Sequence, residues 1–198
     1  ENPIDPWVLL NYRFFPLADG KQAFFRNDVI VQVDAASIFL PKFDNAGEFT
    51  RQEYQSIEKD GGHMLVASVK SSGSLWLMTA MDGKVTCSSE NGAGNVYSAA
   101  GMYTLVKHFH DKFGAAWQQE YLELVNFLDR KRVSLGFELV TRCLGEHGSL
   151  PNCDHLVLNV AMDRDSLAPY SPLLLVRLKE RFLLEVNVIP TECFSESL

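Results

Sequence analysis

Apolar residues in the first part of the chain follow the patterns of β-strands. Residues 23–33, residues 63–70 and Ser74–Met81 are rich in β-branched and aromatic side chains, which predicts strands. Asp82-Gly83 then separates two alternating apolar segments, a pattern typical of a two-residue hairpin turn because glycine tolerates positive φ. We therefore expect residues 76–81 to pair with residues 84–88 across this turn.

The middle of the chain changes to helical spacing. Apolar residues recur every three or four positions between residues 95 and 113, and Gly114 follows as a stop signal. A second apolar stripe predicts a helix that ends in a basic run; it consists of Trp117, Tyr121, Leu124, Val125 and Leu128. Residues 133–141 and 155–162 are predicted strands, residues 172–184 a helix with Pro172 in its first turn, and residues 185–189 a last strand. This order predicts an α+β fold with a largely antiparallel sheet.

Composition places the chain among ordinary globular proteins. Its 198 residues are 46% hydrophobic, enough for one core, and no run of about 18 apolar residues predicts a membrane span. The net charge of −7 argues against nucleic-acid binding by bulk electrostatics but leaves room for a local basic cleft. Since none of the four cysteines forms a Cys-x-x-Cys pair, we expect buried, reduced thiols and an intracellular compartment.

One lysine stands where a nucleophile could act. Lys70 ends a predicted strand and is followed by the small residues Ser71-Ser72-Gly73 before the next strand begins. In such a turn, backbone N–H groups can face an anion. A lysine acts as a nucleophile only as the neutral amine, so its site must lower a pKa that is about 10.4 in water. The alternative is an exposed lysine at a hairpin, and the spacing alone does not exclude it.

Several blocks resemble one superfamily. Residues 70–73 resemble motif I of the covalent nucleotidyltransferases, which comprise DNA ligases, RNA ligases and capping enzymes. Residues 39–45, Phe-Leu-Pro-Lys-Phe-Asp-Asn, look like a Pro-Lys-Phe-x-Asn segment of RNA ligases, and residues 133–141 look like motif III with Glu138 on a strand. Residues 94–101 and 140–161 are similar to plant and fungal tRNA ligases in particular.

The resemblance implies a nucleotidyltransferase fold, apparently truncated at the C-terminus. We expect residues 1–198 to form a single domain, the front part of an RNA ligase adenylyltransferase domain, with motifs I to IIIa. Motifs IV (Glu-Gly) and V (Lys-x-Lys) are not found after Glu138, because Arg177-Leu178-Lys179 falls in a predicted helix and reads as a solvated helix surface. The isolated chain is therefore expected to be weakly active or inactive.

The activity that the resemblance implies is ATP-dependent RNA ligation. Lys70 would take AMP from ATP, and Lys42, Phe43, Val69, Gly73 and Glu138 would bind the nucleotide. Glu138 would also help to bind the metal ion, and the implied cofactor is Mg²⁺. The implied partners are RNA, as tRNA halves or broken RNA ends, and further catalytic domains in the same full-length chain. The implied compartment is the nucleus, the cytoplasm or both.

Two other readings stay open. A catalytically inactive, ligase-like binding or scaffold module is favoured by Glu90, because it stands where the resemblance predicts a basic residue and would repel a triphosphate. A DNA ligase or a capping enzyme is disfavoured by Ser72, because those enzymes usually have Lys-x-Asp-Gly. His108 and His110 lie two positions apart in a predicted helix and do not share a face, which disfavours a metal site there.

Overall fold

Two β-sheets and three α-helices make up the described part of the chain. The computed structural model describes residues 14–16, 22–26, 29–33, 36–40, 68, 71–90, 92–144 and 151–187. A three-stranded antiparallel sheet contains β1 (Phe14–Pro16), β2 (Gln22–Arg26) and β3 (Val29–Val33). A six-stranded sheet contains β4 (Ser74–Met81), β5 (Lys84–Ser89), β6 (Gly92–Ala93), β7 (Val133–Val140), β8 (His155–Asp163) and β9 (Glu185–Val186). The helices are α1 (Val96–Phe113), α2 (Trp117–Lys131) and α3 (Pro172–Phe182).

The larger sheet has the strand order β6-β5-β4-β7-β8-β9. Every neighbouring pair in it is antiparallel except β8 and β9, which are parallel. The predicted α+β fold with a largely antiparallel sheet is therefore confirmed. β7 lies in the interior of this sheet, so each of its side chains has neighbours on both β4 and β8.

The β4–β5 hairpin has the predicted turn. Asp82 and Gly83 both have positive φ, 53° and 72°, and Met81 pairs with Lys84 across them. The Asp129 carboxylate on α2 accepts the backbone N–H groups of Asp82 at 3.2 Å and Gly83 at 2.7 Å. A side chain from the helix layer thus satisfies the donors of a turn that the local sequence already specifies.

The core lies between one face of the larger sheet and the helices. Its largest fully buried side chains include Trp76 on β4, Phe109 on α1 and Phe137 on β7. The apolar stripe of α2 faces this core as predicted, with Leu124, Val125 and Leu128 buried. The helix ends at Arg132, a C-cap with φ of 51°, so the basic run terminates the helix as expected.

Two expectations about the last part of the chain need correction. The third helix ends at Phe182 rather than at residue 184, because Leu183 adopts left-handed φ and ψ of 55° and 26°. The last strand covers only Glu185–Val186 of the predicted residues 185–189, and residues 188 and 189 lie outside the described part.

The predicted strand at residues 63–70 lies outside the described residues except for Ser68.

The cysteines are reduced where they are described, but they are not all buried. Cys87 is half-buried, and desolvation raises the pKa of its thiol to about 12. Cys143 and Cys153 are exposed, so the prediction of burial is wrong for both. They lie in the connection between β7 and β8, and connections usually run over the surface. Cys193 lies outside the described residues.

None of the described helices has the length and apolarity that a membrane span requires.

Candidate functional site

Glu138 lies on the face of β7 that points away from the helices. Strand residues alternate between faces, and Val133, Leu135, Phe137 and Leu139 belong to the helix-side core. Ser134, Gly136 and Glu138 therefore occupy the opposite face. Glu138 is half-buried and pairs with Leu75 on β4 and Val157 on β8. Its carboxylate is thus held by an interior strand with neighbours on both sides.

Gly73 brings the backbone of the motif I segment directly against the backbone of Leu139 and the side chain of Glu138. A Cβ atom at Gly73 would overlap the Leu139 carbonyl oxygen and would lie 2.9 Å from the Leu139 carbonyl carbon and 3.0 Å from Glu138 Cγ. The next residue, Ser74, pairs with Leu139 in the β4–β7 ladder. Only glycine permits this approach without a shift of the backbone. The structure therefore brings two predicted site residues, Gly73 and Glu138, together although 65 positions separate them in the chain (138 − 73).

The other predicted site residues are Lys42, Phe43, Val69 and Lys70, and they lie outside the described residues. Residues 36–40, which precede Lys42 in the sequence, are described, and we call them the arm.

The arm lies against the same face of β7 that carries Glu138. The Ile38 N–H donates to Ser134 Oγ at 3.2 Å, and the Ser134 hydroxyl donates to the Ile38 carbonyl at 2.8 Å. One residue further, the Phe39 ring covers Gly136: a Cβ there would lie 2.5 Å from Phe39 Cε2. The Arg164 guanidinium, 2% exposed, donates to Ala80 O at 2.9 Å and to Ala36 O at 3.4 Å.

The contacts of Ser134, Gly136 and Arg164 with the arm were not predicted from the sequence. A signal was present for two of them, because Ser134 and Gly136 are small residues at alternate positions of an otherwise apolar, buried strand. A glycine inside a strand often marks the close approach of another backbone or side chain. Arg164 gave no such signal, since its partners lie 128 and 84 positions away in the chain.

The block at residues 94–101 joins α1 to the sheet. Asn95 caps α1 by accepting the Ser98 N–H at 3.0 Å. The Trp76 indole donates to the Ser98 carbonyl at 3.2 Å, and Gly101 packs against the indole ring, where a Cβ would lie 2.5 Å from Trp76 Cε2. This block therefore positions α1 against β4 and carries no described catalytic group.

Glu90 lies at the same end of the sheet as Gly73 and Glu138. It occupies the turn after β5, whose last residue, Ser89, pairs with Trp76 near the start of β4. Glu90 is exposed. Neighbouring strands are about 4.8 Å apart, so two strand spacings, roughly 10 Å, separate the line of β5 from that of β7.

The donor chemistry around Glu138 fits a magnesium ion. Mg²⁺ is usually held by one or two carboxylates together with substrate phosphates and water, and Glu138 supplies one half-buried carboxylate. Within the described ranges, no group of three or more His, Cys, Asp or Glu residues could hold a metal by itself. His108 Nε2–H donates to the Phe182 carbonyl at 3.0 Å, whereas His110 is exposed, so the two histidines do not share a face.

Two basic runs, residues 130–132 at the end of α2 and residues 177–179 on α3, meet at a cleft away from Glu138. Lys131 and Arg177 line this cleft of about 480 Å³ together with the first residue of β7, Val133. Glu138 is five positions after Val133, about 17 Å along the strand. Tyr170 also lines the cleft, and its pKa is raised by burial and by the nearby Asp163. Arg177 and Lys179 are both exposed, as expected for a solvated helix surface.

Comparison with known proteins agrees with the resemblance in the motifs. No family model matches the chain. Over 129 residues, the chain is 33% identical to tRNA ligase 1 of Arabidopsis thaliana; the match takes in 63% of this chain and 11% of that protein. The chain thus spans about a tenth of the length of this relative.

Solved structures agree with the fold. A point mutant of Naegleria gruberi RNA ligase with ATP and Mn superposes with a TM-score of 0.51 and 16% identity, over 69% of this chain and 39% of that one. The same ligase with PPi gives a TM-score of 0.50 and 16% identity, over 68% and 38%. The predicted resemblance to tRNA ligases is confirmed, and the fold is similar to the nucleotidyltransferase fold of an RNA ligase.

Proposed function

We propose that residues 1–198 are the front part of the adenylyltransferase domain of an ATP-dependent RNA ligase. The enzyme joins RNA ends, in tRNA splicing or RNA repair, through a covalent lysyl-AMP at Lys70. The observation that supports this most directly is the contact of Gly73 with Glu138 and Leu139, because it unites the motif I and motif III segments at one place on the sheet. The 33% identity to a tRNA ligase supports the same assignment.

The proposed reaction has three displacements at phosphorus. The neutral Lys70 amine attacks the α-phosphorus of ATP; an N–P bond forms, the bond to pyrophosphate breaks, and the amine loses its proton to solvent. An oxygen of an RNA 5′-phosphate then attacks the phosphorus of the lysyl-AMP; a P–O bond forms, the N–P bond breaks, and Lys70 regains a proton. Finally, an RNA 3′-hydroxyl attacks the phosphorus of that RNA 5′-phosphate; a P–O bond forms, the hydroxyl loses its proton to solvent, and AMP leaves, so that a phosphodiester bond remains. Each step needs positioned groups and neutralised charge more than acid–base chemistry.

The chain's residues divide these tasks. Gly73 allows the backbone of the turn to approach the nucleotide, and Val69 and Phe43 line the nucleotide pocket. Lys42 approaches the phosphates or the nucleotide. Glu138 binds the ribose hydroxyls of the nucleotide or helps to bind the metal ion. Mg²⁺, when bound with ATP, neutralises phosphate charge during the transfer.

The proposed partners follow from this chemistry. RNA is the substrate, as tRNA halves or as broken ends with a 5′-phosphate and a 3′-hydroxyl. Further catalytic domains in the same full-length chain would prepare those ends. The nucleus, the cytoplasm or both are the proposed compartments, since that is where such RNAs are processed.

A second candidate is an inactive, ligase-like binding module. Glu90 favours it, because an exposed carboxylate at the nucleotide end of the sheet repels a triphosphate. The net charge of −7 acts in the same direction.

An RNA-joining assay separates the two candidates. The natural full-length protein, ATP and Mg²⁺ are incubated with an RNA that carries a labelled 5′-phosphate opposite a 3′-hydroxyl in a nicked duplex or a paired stem. The enzyme converts the label to a form resistant to phosphatase, and Glu138→Gln, which keeps the size of the side chain but removes its charge, reduces the rate by at least about tenfold. A folded protein that leaves the label sensitive to phosphatase on every RNA tested supports the binding module.

A further inference from the structure

The cleft between α2 and α3 combines apolar walls with two cations. Its volume of about 480 Å³ lies within the range of about 300–1,000 Å³ that is usual for ligand sites. Lys131 and Arg177 supply the positive charge. Most of the other lining side chains are apolar or aromatic: Phe127, Val133, Tyr170, Leu173 and Leu174. Among the described residues that line the cleft there is no Asp or Glu, although the whole chain has 25 acidic residues and a net charge of −7.

Both cations are accessible to an anion. Lys131 and Arg177 are exposed, and within the described ranges neither forms an ion pair with a carboxylate. The neighbouring Arg132, in contrast, pairs with the Asp165 carboxylate. The nearby Asp163 carboxylate accepts the backbone N–H of Asp165 at 2.8 Å. An anion that enters the cleft therefore meets two positive charges that no described carboxylate neutralises.

The apolar walls suit a flat ring. Leu173 is 66% exposed and lines the same cleft as the rings of Phe127 and Tyr170. Every nucleotide base has a face that stacks on aromatic side chains, and a phosphate lies next to it in the RNA strand. In a duplex the bases are already stacked on one another, so only an unpaired nucleotide offers a ring and a phosphate together. A run of acidic residues in a protein would offer charge without the ring.

We propose that this cleft binds an unpaired nucleotide of RNA. The base packs against Phe127, Tyr170 and Leu173. A neighbouring phosphate contacts Lys131 and Arg177. This inference rests on the proposed function, in which RNA is the substrate, and adds a binding site that the function does not assign.

The proposed site is separate from the candidate catalytic centre. Val133 begins β7 and belongs to the core on the helix side, whereas Glu138 lies about 17 Å further along the strand and points to the other face. A nucleotide in the cleft therefore belongs to a part of the RNA away from the ends that are joined. Loss of this site should lower the affinity for RNA and leave lysyl-AMP formation, which needs no RNA, unchanged.

The phosphate contact is tested by Lys131→Gln combined with Arg177→Gln, the cleft variant. Loss of two exposed ion pairs corresponds to about tenfold in affinity at physiological salt. Each phosphate contact of a single strand contributes about 0.7 to the slope of log affinity against log salt concentration, so the slope becomes less steep by about 1.4. Leu173→Ala shortens the apolar wall and should weaken binding by about threefold without changing the slope.

A matched control lies beside the two cations. Arg130 precedes Lys131, and Lys179 follows Arg177 by two positions; both are exposed and neither lines the cleft. Arg130→Gln combined with Lys179→Gln, the control variant, removes one arginine and one lysine charge from the same two helices. It therefore separates contact within the cleft from the net charge of the surface.

The experiment crosslinks RNA to the natural full-length protein under ultraviolet light. The probe is a single-stranded RNA that contains 4-thiouridine, and crosslinked peptides are mapped by mass spectrometry. The RNA concentration at half-maximal crosslinking of the cleft peptides measures the affinity of this site alone. We expect crosslinks at Phe127 or Tyr170, about tenfold more RNA at half-maximum for the cleft variant, and a change below about twofold for the control variant. The same RNA annealed to its complement should crosslink there at least about tenfold less.

Several results would overturn the inference. Crosslinks that map only to other peptides would exclude RNA from the cleft, and equal losses in the two variants would show that only overall charge matters. An equal yield from the duplex would exclude the stacked base. Binding of a fluorescent acidic peptide in the cleft, without any RNA crosslink there, would assign the site to a protein segment instead.

Lysyl-AMP formation in the same preparations separates this inference from the proposed function. It should stay within about twofold of wild type in both variants, because the adenylylation step involves no RNA. A wild-type protein that forms lysyl-AMP but shows no crosslink in the cleft overturns the inference alone. A folded wild-type protein that crosslinks in the cleft but forms no lysyl-AMP overturns the proposed function and supports RNA binding by the cleft.

Discussion

Replacing Gly73 by alanine tests the closest contact in the candidate site. The added Cβ would overlap the Leu139 carbonyl oxygen and lie 2.9 Å from the Leu139 carbonyl carbon. Ordinary contact between carbon atoms needs about 3.5 Å, so the two backbones must separate by more than roughly half an ångström. Both partners are main chain, which means that no side chain can rotate away to make room.

The cost follows from the position of Gly73 in the sheet. Ser74 and Leu139 are the first paired residues of the β4–β7 ladder, so the separation weakens one or two ladder hydrogen bonds at about 1 kcal/mol each. Strain from overpacking adds about 1–3 kcal/mol. Together these give a loss of about 2–5 kcal/mol in the free energy of unfolding. At about 2–4 °C per kcal/mol, Tm falls by roughly 4–20 °C. Displacement of the Lys70 segment from Glu138 also lowers the rate of lysyl-AMP formation by about 100-fold.

Thermal unfolding by circular dichroism measures the first effect, and lysyl-AMP formation below the Tm of the variant measures the second. Ser72→Ala is the matched control, since Ser72 is the preceding residue and is exposed. We expect the Tm of Ser72→Ala within about 2 °C of wild type. A Gly73→Ala protein with the Tm and the adenylylation rate of wild type would refute the argument that this contact determines the geometry of the site.

Three further predictions concern other parts of the chain. Gly101→Ala should lower the free energy of unfolding by about 1–3 kcal/mol in denaturant titrations, although alanine is the better helix former, because its Cβ meets the fully buried Trp76 indole. Glu90→Gln should lower the ATP concentration at half-saturation by about twofold at physiological ionic strength, because it removes a negative charge that repels the triphosphate, and the gain should shrink as salt rises. In peptide mapping after brief alkylation at pH 8, Cys143 should be modified and Cys87 protected, because burial raises the pKa of Cys87 to about 12.

Each of these has a result that contradicts it. A stabilised Gly101→Ala protein would mean that helix propensity outweighs the contact with Trp76. A Glu90→Gln effect that is independent of salt would exclude long-range repulsion as its cause. Equal alkylation of Cys87 and Cys143 in the folded protein would show that Cys87 is accessible. Burial favours the neutral Cys87 thiol in the folded protein. The contribution of this thiol to the free energy of unfolding is therefore complete below pH 9 and is lost as pH rises toward about 12.

The elements that the sequence predicted correctly are those set by local chemistry. The Asp82-Gly83 turn and the apolar stripe of α2 depend on neighbours within a few residues, and both are confirmed. The end of α3 was predicted two residues too late because Leu183, which is not a glycine, adopts the left-handed cap. Nothing in its own chemistry favours that conformation, so the tertiary structure must impose it.

The candidate site was predictable only in part. Motif resemblance singled out Gly73 and Glu138, and the sheet brings them into contact. The support for the arm was not predictable, because Ile38 and Ser134 are 96 residues apart and no periodicity encodes such a pairing. Hydrogen bonds between a hydroxyl and backbone groups that are distant in sequence can be identified only when the strand order is known.

The most direct test of the central claim is covalent labelling at Lys70. The natural full-length protein is incubated with α-labelled ATP and Mg²⁺ beside Lys70→Ala, denatured, and mapped by mass spectrometry, with folding of both proteins verified by circular dichroism. We predict one AMP per chain on the peptide that contains Lys70, and no label on the variant. A folded wild-type protein that carries no label, or a Lys70→Ala protein that is labelled equally, would contradict the claim that Lys70 is the adenylylated nucleophile.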